Sequence, residues 1–97
     1  MFSVSVYQLP IEHPNAYRDY DFVIKRGPIV LSDYNKVWEG EFYTDNLNRI
    51  FYLLNIEDKP AGYKGTSLST SNIIEVDGVY HYVDDFGFVT LLAEDIK

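Results

Sequence analysis

Ninety-seven residues, 46% of them hydrophobic and 16% aromatic, fit one domain with one small core and exclude a disordered acidic tail. The chain has no cysteine, which excludes disulfides, thiolate catalysis and cysteine-held metals. Fifteen carboxylates against eight Lys and Arg leave a net charge of −7, a sign that disfavours direct DNA or RNA binding and favours basic partners as well as plain solubility.

The first element is "SVSVYQL", residues 3–9. Val4 and Val6 share one face and Ser3, Ser5 and Tyr7 the other, which predicts a strand closed by Pro10. Pro10 and Pro14 punctuate the next stretch, where a short helix capped by Asn15 would put Tyr17, Tyr20 and Ile24 on one side; "DFVIK" reads equally as strand. Gly27-Pro28 is a break, and Ser32 to Asn35 a turn. From Lys36 to Tyr43, Val37, Glu39 and Glu41 alternate with Trp38, Gly40 and Phe42, the pattern of a half-buried strand.

The clearest helix is "TDNLNRIFYLLN", residues 44–55. Thr44 or Asp45 caps it; Leu47, Ile50, Phe51 and Leu54 form one apolar stripe; Asn55 is a left-handed stop. A loop follows, and then "SLSTSN", whose hydroxyls and amide cap a single turn, with Ser69 accepting from the backbone near Asn72. Asp77-Gly78 between "IIEV" and "VYHYVDDF" suits a two-residue type I′ hairpin. "GFVTLLA", residues 87–93, adds a strand after a turn at Asp84 to Gly87. The sum is an α+β domain over residues 1–97: two layers, a mainly antiparallel sheet of about five strands with one main helix packed on it.

The run "GYKGTSLSTSNIIEVDGVYHYVDDFGF" resembles the YodL-like domain. Gly65, Ser67, Leu68, Ser69 and Ser71 stand at the places of that family's Gly-x-Ser-Leu-Ser-x-Ser-Asp segment, with Asn72 for its Asp, a swap that keeps capping ability. Tyr80, Tyr82, Val83 and Asp84 match its Tyr-Tyr-Val-Asp-like strand, and Gly87-Phe88 its Gly-Phe. Upstream, "YRDYDF", "SDYNKVWEGEF" and "NLNRIFYLLN" are similar to further segments, with Trp38 where Tyr is common, so the resemblance spans residues 4–91. It implies a domain of Gram-positive bacteria, often carried by mobile elements, whose founding member is associated with perturbation of the actin-like cell-shape machinery. It brings no catalytic residues.

The residues themselves favour scaffold over chemistry. His81 beside Asp84 and Asp85 has the donor types for zinc or manganese, but strand neighbours alternate faces, so at most one carboxylate shares a face with it. Ser67, Ser69 and Ser71 lack the G-x-S-x-G context of a nucleophile and have only two histidines to draw on as base. Gly62 and Gly65 fail the spacing of a phosphate loop. Carboxylate pairs run glycoside chemistry, but with no cleft-forming insertion Glu39, Glu41, Glu75, Asp77, Asp84 and Asp85 read as an exposed acidic surface.

The expectation is therefore a non-enzymatic acidic protein-binding module with no cofactor and no metal. Its partner surface comprises Glu39, Glu41, Asp77, Tyr80, Tyr82, Asp84 and Asp85, since exposed Tyr beside carboxylates makes a good protein contact. Carried by a phage or other mobile element, it would act as an inhibitor of the anti-CRISPR or antirestriction type, occupying the basic groove of a nucleic-acid enzyme. A modulator of actin-like filaments is the alternative within binding proteins, and a small metal-dependent or hydrolytic enzyme the alternative outside them. "MFSVSVYQLP" has no signal-peptide features and no apolar run approaches the roughly 20 residues of a membrane span, so the expected compartment is the cytoplasm, with no membrane partner. Reversing Asp84 and Asp85 to Lys is expected to spare the fold.

Overall fold

The computed structural model describes residues 1–56 and 59–97. Five strands form one sheet: β1 (Phe2–Gln8), β2 (Asn35–Phe42), β3 (Ile73–Val76), β4 (Val79–Val83) and β5 (Phe88–Thr90). Their order is β2-β1-β3-β4-β5, and every neighbouring pair is antiparallel. Two α-helices, α1 (Tyr20–Ile24) and α2 (Leu47–Asn55), and two 3-10 turns, Leu31–Asp33 and Ala93–Asp95, complete it. This is the expected α+β arrangement of an antiparallel sheet with one main helix.

Alternation decides which face of the sheet is core. Val4 and Val6 of β1, Trp38 of β2, Ile74 and Val76 of β3 and Val83 of β4 point to one side, where they pack with Ile50 and Leu54 of α2 and with Leu68. Leu47 and Phe51, the other two members of the stripe, are half-buried at its margin. The helix begins later than the sequence pattern suggested. Asn46 is the cap, its side chain accepting from Arg49 N, while the hydroxyl of Thr44 accepts from Asn46 N. Asn55 is no left-handed stop: it remains helical, and its amide clamps Leu68 by accepting from that residue's N and donating to its O.

The opposite face carries a second, smaller core. Ile73, Tyr82 and Leu91 pack there with Val23 of α1 and Ile29. The segment that covers them starts after Tyr17, a left-handed residue (φ 65°), and α1 is capped by Asp19 rather than Asn15. Tyr17 therefore lies outside the helix, and the strand reading of "DFVIK" does not hold. The last residues are tied beneath it: Ile29 and Ile96 form an isolated parallel bridge, with Ile29 N donating to Asp95 O and Lys97 N to Ile29 O.

The turns follow their residue types. Asp77 (φ 47°) and Gly78 (φ 86°) both take the positive φ that a type I′ hairpin requires. Asp84 N donates to Gly87 O, and Gly87 (φ 83°) turns the chain into β5. In "SLSTSN" the capping roles are the reverse of those expected: the Asn72 side chain accepts from Ser69 N, and Ser69 contributes only its backbone carbonyl, to Asn72 N. Among the described residues no helix is long and apolar enough to cross a membrane.

Candidate functional site

The surface with the most concentrated chemistry is the part of the second sheet face that α1 leaves open. Glu39 and Glu41 of β2 stand opposite Ser5 and Ser3 of β1, and Ser5 stands opposite Glu75 of β3, which pairs in turn with Tyr80 of β4. Across these four strands one face thus presents Glu39, Glu41, Glu75, Ser3, Ser5, Tyr7 and Tyr80. Tyr7 is its centre: the hydroxyl donates to Glu75 at 2.9 Å, and the ring lies 6.1 Å from that of Tyr80. Burial, and after it the Glu75 carboxylate, pushes the Tyr7 phenol far above its ordinary value. Lys36 arrives beside Tyr7 through a bulge, the β1 register stepping from Val6–Trp38 to Tyr7–Lys36 and leaving Val37 unpaired. Its ammonium sits 5.8 Å from the Tyr7 ring centroid and 2.9 Å from Glu39, and the bond to Glu39 raises its pKa.

The seven residues expected to make up one partner surface do not come together. Glu39, Glu41 and Tyr80 share this face, although Tyr80 is half-buried. Asp77 sits at its edge in the hairpin turn, where the carboxylate accepts from Ser3 N at 2.8 Å. Tyr82 must be withdrawn as a contact residue. It has no exposed surface, its hydroxyl donates to Arg18 O at 2.7 Å, and α1 covers it with Tyr20. Period-two alternation places Tyr80 and Tyr82 on the same face; only the course of the chain through residues 17–34 decides that one is roofed over.

Asp84 and Asp85 lie at the other end of the sheet and have separate tasks. Asp84 Oδ1 accepts from Tyr20 N and from Asp85 N, so it anchors the start of α1. Its reversal would leave those amides facing an ammonium, which corrects the expectation that Lys there spares the fold. Asp85 is exposed and accepts from the Thr70 hydroxyl.

The other groups weighed for chemistry are occupied by the fold. Ser71 is buried with φ 88°; its hydroxyl accepts from Tyr17 N and its carbonyl from the Tyr34 hydroxyl, a phenol that burial raises far above its usual pKa. The Ser67 hydroxyl meets Lys59 at 3.3 Å. Nδ1 of His81 faces the Thr90 hydroxyl, and burial lowers the ring's pKa; it borders a shallow hollow with Asp45 and Asp77, whereas Asp84 and Asp85 line a different one. A histidine–carboxylate pair that the sequence separation hid does exist: His13 Nε2 lies 3.1 Å from Asp33. Its Nδ1 accepts from Asn15 N, which orients the ring and aims Nε2 at the Asp33 carboxylate, so both ring nitrogens are engaged by the fold. Among the described residues no group of three or more His, Asp or Glu stands close enough to hold a metal ion.

A family model described as the YodL-like domain matches residues 3–93. The chain belongs to that family. No curated protein and no solved structure matches the chain. In this YodL-like domain the serine-rich segment and the Gly87-Phe88 turn flank the β3–β4 hairpin, and Ser71 and Asn72 turn their side chains inward to accept from the backbone of Tyr17 and Ser69. Gln8 completes the arrangement. Its amide donates to Thr66 O and Asn72 Oδ1 and accepts from Thr66 N, tying the end of β1 to that segment.

Proposed function

We propose that this YodL-like domain is a non-enzymatic protein-binding module that presents the open sheet face to a basic protein surface. The observation that carries the reading is the juxtaposition of Glu39, Glu41 and Glu75 with Tyr7 and Tyr80 on one face, where Lys36 pairs with Glu39 alone. A sheet fixes the backbone that carries these groups, so only their side chains are ordered on contact, and Tyr adds area at low entropic expense. The net charge of −7 favours encounter with positive partners and disfavours nucleic acid itself. The partner class that fits best is an enzyme whose basic groove ordinarily holds DNA or RNA. The domain is then an inhibitor of the anti-CRISPR or antirestriction type, carried by a phage or other mobile element and acting in the cytoplasm.

Capture from a bacterial host lysate tests this, with the Glu39→Lys/Glu41→Lys chain alongside. The expected result is a basic protein that added DNA or RNA displaces, that raised salt releases and that the double reversal fails to retain. A partner held equally by the reversed chain, or one indifferent to nucleic acid and salt, would remove the acidic face from the reading. Capture of an actin-like filament protein would replace the target class.

A further inference from the structure

The sheet ends on one side at β2, and the hydrogen bonds of β1 reveal which way the groups of β2 point. Asp77 N donates to Ser3 O, so Ser3 directs its backbone towards β3, and by alternation Ser5 does too. Val4 and Val6 then direct theirs towards β2, where they meet Gly40 and Trp38. The N–H and C=O of Glu39 and Glu41 therefore point away from the sheet. At the near end the same edge is already used, since Lys64 N donates to Val37 O at 2.9 Å. Beyond it, no described residue bonds the backbone of Glu39 or Glu41. The other outer strand, β5 (Phe88–Thr90), turns the backbone of Phe88 and Thr90 outward but carries no charged side chain to select a partner.

Side chains specify what this edge accepts. Glu39 and Glu41 line it on the open face, and the Glu39 side chain is 66% exposed. On the α2 side the corresponding positions are Gly40, with the Trp38 indole folded across it, and half-buried Phe42. A strand laid beside β2 meets carboxylates at every second residue and an apolar surface at those between. A second copy of the chain is the wrong occupant, because pairing β2 with β2 sets glutamates against glutamates, the charge device by which exposed edges resist self-association.

We propose that the outer edge of β2, from Glu39 to Phe42, binds an extended segment of the partner protein in which basic and apolar residues alternate, adding it to the sheet as a sixth strand. The inference rests on the reading of the chain as a protein-binding module and gives that module its mode of attachment. The exposed Lys36–Glu39 ion pair opens as the incoming cation takes its place, at little cost for a solvent-exposed pair.

Amide hydrogen exchange on the full chain tests it with three synthetic decapeptides: alternating lysine and valine, the same peptide fully N-methylated, and alternating glutamate and valine. The lysine–valine peptide is expected to slow exchange at the Glu39 and Glu41 amides by about tenfold or more, and the other two to leave both unchanged. Equal slowing by the N-methylated peptide, or shifts at Glu75 and Tyr80 without protection at Glu39 and Glu41, overturns the added strand while leaving the acidic face standing. Protection that grows with protein concentration in the absence of peptide would seat a second copy there and overturn the basic segment. No response to any peptide overturns the edge, and the lysate capture then judges the face alone.

Discussion

The buried side chain of Asn72 accepts two hydrogen bonds at one oxygen, from the Gln8 amide and from Ser69 N. Both are acceptances, so a carboxylate at this position would keep both. Asn72→Asp is expected to keep the fold, whereas Asn72→Ala leaves two inward donors unmet and should cost about 1–3 kcal/mol in denaturant unfolding. Gly40 is constrained by space. A Cβ there would fall inside the Trp38 indole, whose N–H donates to Ala61 O. Gly40→Ala is expected to push the indole out and to cost about 1–3 kcal/mol, read from the melting curve together with Trp38 fluorescence.

The elements differ in how much of the core each holds. α2 contributes Ile50 and Leu54, both fully buried, and Phe51, half-buried with its ring edge-on to Phe88. Leu54→Ala should therefore cost about 2–5 kcal/mol, and Phe51→Ala less than the full core value, because part of its surface never leaves water. α1 is five residues long and cannot stand alone; Asp19 caps it, Asp84 holds its first amide from across the sheet, and Val23 is its one buried residue. Asp84→Ala is expected to destabilise by about 1–2 kcal/mol and to increase Tyr82 exposure, while Asp85→Ala stays within about 0.5 kcal/mol in the same unfolding assay.

For the whole molecule the sign of the tyrosine shifts sets its alkaline limit. Burial raises Tyr34 and Tyr82, and burial together with Glu75 raises Tyr7, all well above the ordinary phenol value. The folded chain therefore holds these protons more tightly than the unfolded chain. Their contribution is fully present below the unfolded tyrosine pKa of about 10 and is lost progressively as pH rises above it. The melting temperature is expected to fall steadily above pH of about 10, and Tyr34→Phe should flatten that decline. An equally steep fall in the phenylalanine chain would place the cause in general charge repulsion.

Alternation, turn chemistry and helical spacing act between residues a few positions apart. For that reason the strand from Val4, the hairpin at Asp77-Gly78, the stripe Ile50–Leu54 and the α+β class were all legible in the order of the residues. The family's serine-rich segment was legible too, as scaffold. Long-range pairing was not: nothing local says that β1 lies between β2 and β3, that Asp84 reaches Tyr20, or that His13 meets Asp33. Nor does anything local roof Tyr82 while leaving Tyr80 at the margin. Composition and pattern could declare an acidic, tyrosine-bearing surface. Only the tertiary structure could divide it into an open face on β2, β1 and β3 and an anchoring point under α1, because burial and hydrogen bonding depend on which segments meet in space.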